Sequence, residues 1–333
     1  MPLRFLTISR ITNFLAASLA YLLSILTGRP VVWGQPSAIS IEPVAVCNLS
    51  CPHCPAGNGN VRRNHPVIDP ALFRCVIDQA APYAGYLMLY FQGEPLLHKQ
   101  FFDLVAYAGS KRIYTVTATN GQLITAEVAQ KLVASGLNEL IISMDGARQD
   151  SYSAYRIGGD IEKLKDGIRF LASSKKEQNR YFPRIIIQCI VFRHNQRQLD
   201  EIKRMARELG ADRVRFKSAQ LYPVPGAMDL LPDEKRFRRY HVTGDGKLIM
   251  RRRLLNRCRR IWQTAVITSD GDLVPCCFDK EASWIMGSLK EQSLEKIWKS
   301  DEYKSFRNQI LKGRKEVVIC RNCTGGLGRT VFR

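Results

Sequence analysis

At 333 residues, with 45% hydrophobic and 24% charged side chains, the chain is long enough for one large domain plus a small one, and its composition excludes a disordered or fibrous polypeptide. Ten cysteines are too few for a disulfide scaffold of this length, and their clustering points to metal or redox chemistry. A formal charge of +20 favours an anionic partner (nucleic acid, a phosphorylated substrate or an acidic membrane surface) without choosing among them.

Arg4 and Arg10 lead into an uncharged, largely apolar stretch over residues 11–27, shorter than a comfortable bilayer span of about 20 residues. Ile8, Ile11, Leu15, Leu19, Leu22 and Leu26 recur at helical spacing. That pattern predicts an amphipathic helix lying on a membrane or on the protein itself. Basic residues before an apolar core also fit a signal peptide, but Thr27-Gly28-Arg29-Pro30 supplies no clean small-x-small cleavage site. The expected location is cytoplasmic, with peripheral membrane contact through residues 8–27. Residues 28–37 are rich in Gly and Pro and read as a connector, so the core is expected to begin at residue 37.

A β-branched run predicts a first strand over 39–46. Asp69 and Pro70, a cap and a first turn, open a helix over 71–80. Strands follow at 86–91, 114–119, 140–144, 185–192 and 214–217, alternating with helices at 101–109, 126–135, 161–173 and 198–209. This alternation implies an α/β fold with a parallel sheet and right-handed crossovers, whose ligands gather at the carboxyl ends of the strands. Cys47, Gly93, Asn120, Asp145 and His194 follow five successive strands, so one face is expected to collect them.

After Ser218 the pattern changes. Tyr222, Pro223, Pro225 and Gly226 mark a linker. Residues 235–260 then hold eleven Lys or Arg against one acid, Asp245, which is a solvated basic face or an anion-binding one. Runs at 265–268 and 273–274, joined by Ser269-Asp270-Gly271-Asp272, predict a hairpin, and 294–311 reads as a helix. The expected division is 1–36 for the N-terminal segment, 37–220 for the core, 221–257 for a basic linker and 258–333 for a small C-terminal domain.

Cys47-Asn-Leu-Ser-Cys51-Pro-His-Cys54 places three thiolates on the loop after the first strand. Three soft ligands suit zinc or an iron–sulfur cluster. A closed zinc site wants four ligands, and His53 or His65 offers a fourth. A cubane held by three cysteines keeps one iron open for a small molecule.

The Cys-x3-Cys-x2-Cys motif in this context resembles the radical S-adenosylmethionine superfamily, whose core is a partial (β/α)6 parallel barrel, similar to a TIM barrel. His53 stands where that family usually has an aromatic residue. The resemblance implies that Cys47, Cys51 and Cys54 hold a 4Fe–4S cluster and that Gly93-Glu94-Pro95 binds the methionine amino group of the cofactor. Gln92 replaces the family's first glycine there. Ser143 and Arg156 are the expected pair for the methionyl carboxylate, a hydroxyl and a guanidinium fork being suited to it. Gln188 and Lys217 are further candidates for the ribose or the carboxylate. The implied chemistry is one-electron cleavage of S-adenosylmethionine to a 5′-deoxyadenosyl radical that abstracts hydrogen from a substrate, with a flavodoxin- or ferredoxin-like protein as reductant.

Cys258, Cys276, Cys320 and Cys323 complete a second set. The C-terminal hairpin and helix resemble the auxiliary-cluster extension called SPASM, or its shorter form, twitch. A full SPASM domain has seven cysteines and two clusters; these four support one 4Fe–4S cluster, fully ligated and suited to electron relay. Cys277 is a spare, and a zinc ribbon is the structural alternative. Peptide-modifying relatives often carry an N-terminal recognition domain, whereas here only the hydrophobic segment precedes the core. A small-molecule or lipid-linked substrate is therefore expected ahead of a peptide, as acted on by peptide maturases or sulfatase-maturing enzymes. A zinc protein gripping nucleic acid through residues 235–260 is the competing class, and nucleic acid is not the expected partner. Asp279 and His194 are candidate bases.

Overall fold

The computed structural model describes residues 3–221, 227–251 and 253–323. The linker residues Tyr222, Pro223, Pro225 and Gly226, Arg252 of the basic stretch, and the chain after Cys323 lie outside the described residues.

The chain opens with α1 (Ile8–Thr27), β1 (Ala38–Ile41), α2 (Pro70–Ala80), β2 (Tyr86–Met88), α3 (Phe101–Ser110) and β3 (Tyr114–Thr119). It continues with α4 (Ala126–Ala134), β4 (Glu139–Ser143), α5 (Gln149–Ser153), α6 (Ile161–Glu177), β5 (Arg184–Val191), α7 (Leu199–Glu208) and β6 (Arg213–Ser218). A hairpin of β7 (Tyr240–Val242) and β8 (Leu248–Met250) comes next, then α8 (Arg260–Gln263), β9 (Thr264–Ile267), β10 (Asp272–Val274) and β11 (Gly287–Ser288). Helices α9 (Leu294–Trp298), α10 (Asp301–Gly313) and α11 (Val318–Arg321) close it. The expected class holds: strands alternate with helices, and the central sheet is mostly parallel.

Local chemistry sets the boundaries. Asp69 accepts from the Ala71 amide with Pro70 in the first turn of α2, and Asp160 caps α6 through the Glu162 and Lys163 amides. The first strand stops at Ile41 rather than 46. Pro43 has no ladder donor, so the chain leaves the sheet; Val44 then bridges Val67, and the Ala45 amide bonds the Pro66 carbonyl (2.7 Å). The single helix expected over 294–311 is two, because the Ser300 hydroxyl accepts from the Tyr303 amide and starts α10 afresh.

Among the described residues two compact units form, one from residues 3–46, 60–116 and 254–323, the other from 47–59, 117–221, 227–251 and 253. In the first, strand order runs β11-β10-β9-β1-β2-β3. β1 is parallel to both neighbours, with Ser40 opposite Met88 on one side and Val266 on the other. The predicted hairpin is present as antiparallel β9–β10, but its parallel pairing with β1 was not expected. The buried Glu42 carboxylate meets the Arg63 guanidinium (2.8 Å) and accepts from the Ser269 amide (3.1 Å). Arg307 is buried over the Tyr303 and Trp298 rings (3.8 and 4.5 Å) and donates to the Ile261 and Trp298 carbonyls. In the second unit β4, β5 and β6 are parallel, with Ser143 opposite Gln188 and Ile190 opposite Lys217. β7 and β8 form a separate antiparallel pair within the basic stretch.

Candidate active site

Cys47, Cys51 and Cys54 share one loop of the second unit. The Cys54 amide donates to the Cys51 carbonyl (3.1 Å) and the Asn58 amide to the Cys54 carbonyl (2.9 Å), so the loop folds back in tight turns. A Cβ at Gly57 would stand 2.6 Å from the Cys51 nitrogen, which is why the turn needs glycine there. The Ser50 amide donates to the Ile157 carbonyl (3.0 Å), tying the loop to the segment that carries Arg156. Beneath it lies an apolar cluster: Leu49 and Cys51 are buried with Tyr155, Phe192, Leu221, Leu231 and Tyr240, and Cys47 and Cys54 pack against them. Burial pushes the Cys51 thiol up to about 11, against the pull of Arg156 and with Cys54 and Cys47 adding to the rise.

Side chains from outside the loop reach two of the sulfurs, and the Leu49 amide donates to Cys47 Sγ from within it (3.4 Å). Arg156 Nη1 is 3.9 Å from Cys51 Sγ, and Asn120 Nδ2 is 3.7 Å from Cys47 Sγ and 2.7 Å from Asn48 Oδ1. Arg156 is held by the fully buried Asp145, its Nε 2.6 Å from Oδ2. The second Asp145 oxygen accepts from the Ile190 amide (2.6 Å), and its backbone carbonyl accepts from Asn195 Nδ2 (2.7 Å). Burial alone would lower the Arg156 pKa, but Asp145 and Cys51 raise it, so the guanidinium stays charged. The sequence marks Asn120 and Asp145 only as polar residues at strand ends. Their contacts to Cys47 and Arg156 carry no signal beyond that placement.

Gly93-Glu94-Pro95 lies in the first unit. Gly93 adopts φ 72°, and a Cβ there would stand 2.1 Å from the Val44 carbonyl oxygen and 2.6 Å from that of Val46. The close approach is thus to the chain's own backbone just ahead of Cys47. The Glu94 amide donates to the Val46 carbonyl (2.9 Å), while its buried side chain accepts from the Leu96 amide (3.1 Å), and Pro95 starts a short 3-10 turn. Gly93→Ala is expected to destabilise the protein by about 3 kcal/mol or more, from the left-handed φ and the overlap together. A thermal midpoint within a degree of the parent would contradict this.

The remaining candidates make contacts within their own units. Ser143 ends β4 opposite Gln188, while Arg156 is directed at Asp145 and Cys51. His194 stacks on Phe192 (5.3 Å), and burial lowers its pKa. His65 donates its backbone amide to Asp270 Oδ1 (2.6 Å). Asp279 is buried with both carboxylate oxygens accepting backbone amides, from Ser283 and Trp284 (2.9 Å each), so it caps a turn.

Cys258, Cys276, Cys320 and Cys323 belong to the first unit. Cys258, Cys320 and Cys323 are buried. Burial raises the Cys276 thiol well above its ordinary value, and Cys258 and Cys320 contribute to the rise. Burial likewise lifts Cys320 to about 11, with Arg314 opposing and Cys258 and Cys323 adding. Cys276 and Cys320 thus each lie near Cys258, and Cys277 lies near Cys276. Arg314 Nη2 lies 3.5 Å from Cys323 Sγ, and the spare Cys277 accepts from Arg260 Nη1 at 3.0 Å. Tyr303 donates to the Pro275 carbonyl (3.2 Å), bracing the turn before Cys276.

A model of the radical SAM superfamily matches residues 41–206, and one described as an iron–sulfur cluster-binding domain, SPASM, matches residues 258–324. The chain belongs to the radical S-adenosylmethionine superfamily. It is therefore an enzyme with 4Fe–4S clusters and S-adenosylmethionine as cofactors, and the zinc reading gives way. It is 26% identical over 301 residues to the tungsten-containing aldehyde ferredoxin oxidoreductase cofactor-modifying protein of Pyrococcus furiosus, covering 80% of this chain and 82% of the relative. It is 24% identical over 295 residues to the S-adenosyl-L-methionine-dependent 2-deoxy-scyllo-inosamine dehydrogenase of Niallia circulans, covering 86% and 92%. Its fold is shared with Streptococcus suis SuiB bound to the precursor peptide SuiA, at a TM-score of 0.63 and 15% identity over 90% of this chain and 73% of that one.

Proposed function

We propose that this radical SAM enzyme oxidises a small-molecule or lipid-linked alcohol, with Cys47, Cys51 and Cys54 holding the S-adenosylmethionine-cleaving cluster and Cys258, Cys276, Cys320 and Cys323 the auxiliary one. The carrying observation is the cysteine loop itself: three thiols on one tight path, with the Arg156 guanidinium and the Asn120 amide directed at two of their sulfurs. That donor set suits a three-thiolate cubane better than a four-ligand zinc site. The clusters and cofactor supply, when bound, one-electron cleavage of the sulfonium, hydrogen abstraction from the substrate and uptake of the substrate's electron. The chain's own residues do the positioning. Arg156 sets a fixed positive charge beside Cys51, and Asp145 keeps that charge from turning away. Tyr155, Phe192, Leu221 and Tyr240 form the apolar floor that excludes water from the loop. Within the unit of the cysteine loop, Ser143 is proposed to add a cofactor contact.

The substrate class is supported by the Niallia circulans dehydrogenase, matched over nearly its whole length, and by a C-terminal set of four cysteines, enough for one auxiliary cluster. Cys276→Ser is expected to lower iron from about eight to about four per chain while S-adenosylmethionine cleavage persists and substrate oxidation stops. Loss of cleavage along with the iron would sink the assignment of separate roles. Turnover of a precursor peptide, with no small alcohol oxidised, would overturn the substrate class and leave the radical chemistry standing.

A further inference from the structure

Helix α1 is polar where a surface helix is ordinarily apolar. Its buried residues are Arg10, Asn13, Ala17, Ala20 and Ser24. The Arg10 guanidinium donates to the Phe5, Ala81, Lys111 and Arg112 carbonyls. Asn13 donates to the Gln35 carbonyl (3.0 Å) and accepts from its amide (2.7 Å), and Ser24 Oγ accepts from the Val31 amide (2.8 Å). Gly34 packs so closely that a Cβ on it would lie 3.0 Å from Ala17 Cβ.

The outward face carries what the inward face lacks. Ile8, Ile11, Leu15, Leu19, Leu22 and Leu26 form one unbroken stripe, about half exposed along its middle and 82% and 80% exposed at its ends. Over 20 residues that stripe is about 30 Å long. Phe14 and Trp33 are exposed as well. Single exposed leucines are ordinary, but a continuous line of six marks an interaction surface.

We propose that α1 lies in the plane of an anionic phospholipid bilayer surface, with this stripe among the acyl chains and the fold attached through its polar face. Charge favours that occupant. Residues 1–41 contain Arg4, Arg10 and Arg29 and no acid, so Arg4 and Arg29 bracket the helix. Exposed Arg259 stands over the Phe14 ring (5.4 Å) and reaches Ser18 Oγ (3.4 Å), placing a further cation beside it. The helix has the length and composition of a membrane span, but spanning would strip Arg10, Asn13 and Ser24 of the partners that fix it to the fold. A second copy is disfavoured, since pairing two such faces would bring their arginines together.

The test is flotation of the full-length, cluster-loaded protein with vesicles of equal parts phosphatidylcholine and phosphatidylglycerol. The parent is expected to float, less so with phosphatidylcholine alone or in high salt. Leu15→Glu with Leu19→Glu should reduce partition by about tenfold or more while S-adenosylmethionine cleavage is unchanged, because both side chains face outward. Arg4→Gln with Arg29→Gln should weaken binding to the anionic vesicles alone. Four results overturn the proposal: no flotation of the parent, flotation indifferent to the two glutamates, release only by detergent, or a dimer in sedimentation that the two glutamates dissociate.

Discussion

Replacing Cys51 by alanine is expected to bring 5′-deoxyadenosine formation down to the no-enzyme background and to lower iron from about eight to about four per chain. The reason lies in the loop. Cys51 is the buried member of its three cysteines, set in the apolar cluster and approached by Arg156. Cys75→Ala is the matched control, being an exposed free thiol on α2, and should leave both readouts at parent level. Full iron content in the Cys51 variant would show that the cluster sits elsewhere.

The second large effect concerns the Arg156–Asp145 pair. With Asp145 fully buried and the Arg156 side chain only 14% exposed, removing one partner leaves a charge without its counterion in low dielectric. Arg156→Ala is expected to cost about 3–5 kcal/mol and Asp145→Ala a similar amount. The double variant should be less damaging than the sum, because neither charge is then stranded, and the coupling should reach about 2 kcal/mol or more. Asp145→Asn removes the charge and keeps one acceptor oxygen, so either the Ile190 amide or Arg156 Nε then faces an NH2 donor. That variant should lie between parent and alanine in thermal midpoint while weakening S-adenosylmethionine binding through the loosened guanidinium. Strict additivity of the two alanine variants would mean that the pair does not act as a unit.

The sequence made the α/β alternation legible because largely buried strands such as β5 read as nearly continuous apolar runs, Gln188 excepted, and the helices between them carry visible caps. It also showed Cys47, Cys51 and Cys54 and the Cys320–Cys323 pair, since close spacing of soft ligands is a local property. What stayed hidden was non-local. The parallel pairing of β9 with β1 joins segments more than two hundred residues apart, and no periodicity encodes such a partner. The break at Ser300 is hidden because apolar spacing continues across it while the cap is a single hydroxyl. Asp279 stood out as an acid beside cysteines, yet both its oxygens serve a turn. The outward stripe of α1 was visible as spacing, but only the contacts of Arg10, Asn13 and Ser24 show which side faces the protein.

Electron paramagnetic resonance of the anaerobically reduced protein, recorded with and without S-adenosylmethionine, addresses the three-thiolate centre directly. One cluster signal should shift on adding the cofactor, and that signal should vanish when Cys47, Cys51 and Cys54 are all replaced by alanine, leaving a second, cofactor-insensitive signal behind. A parent spectrum indifferent to S-adenosylmethionine, or a responsive signal that survives in the triple variant, would contradict the assignment.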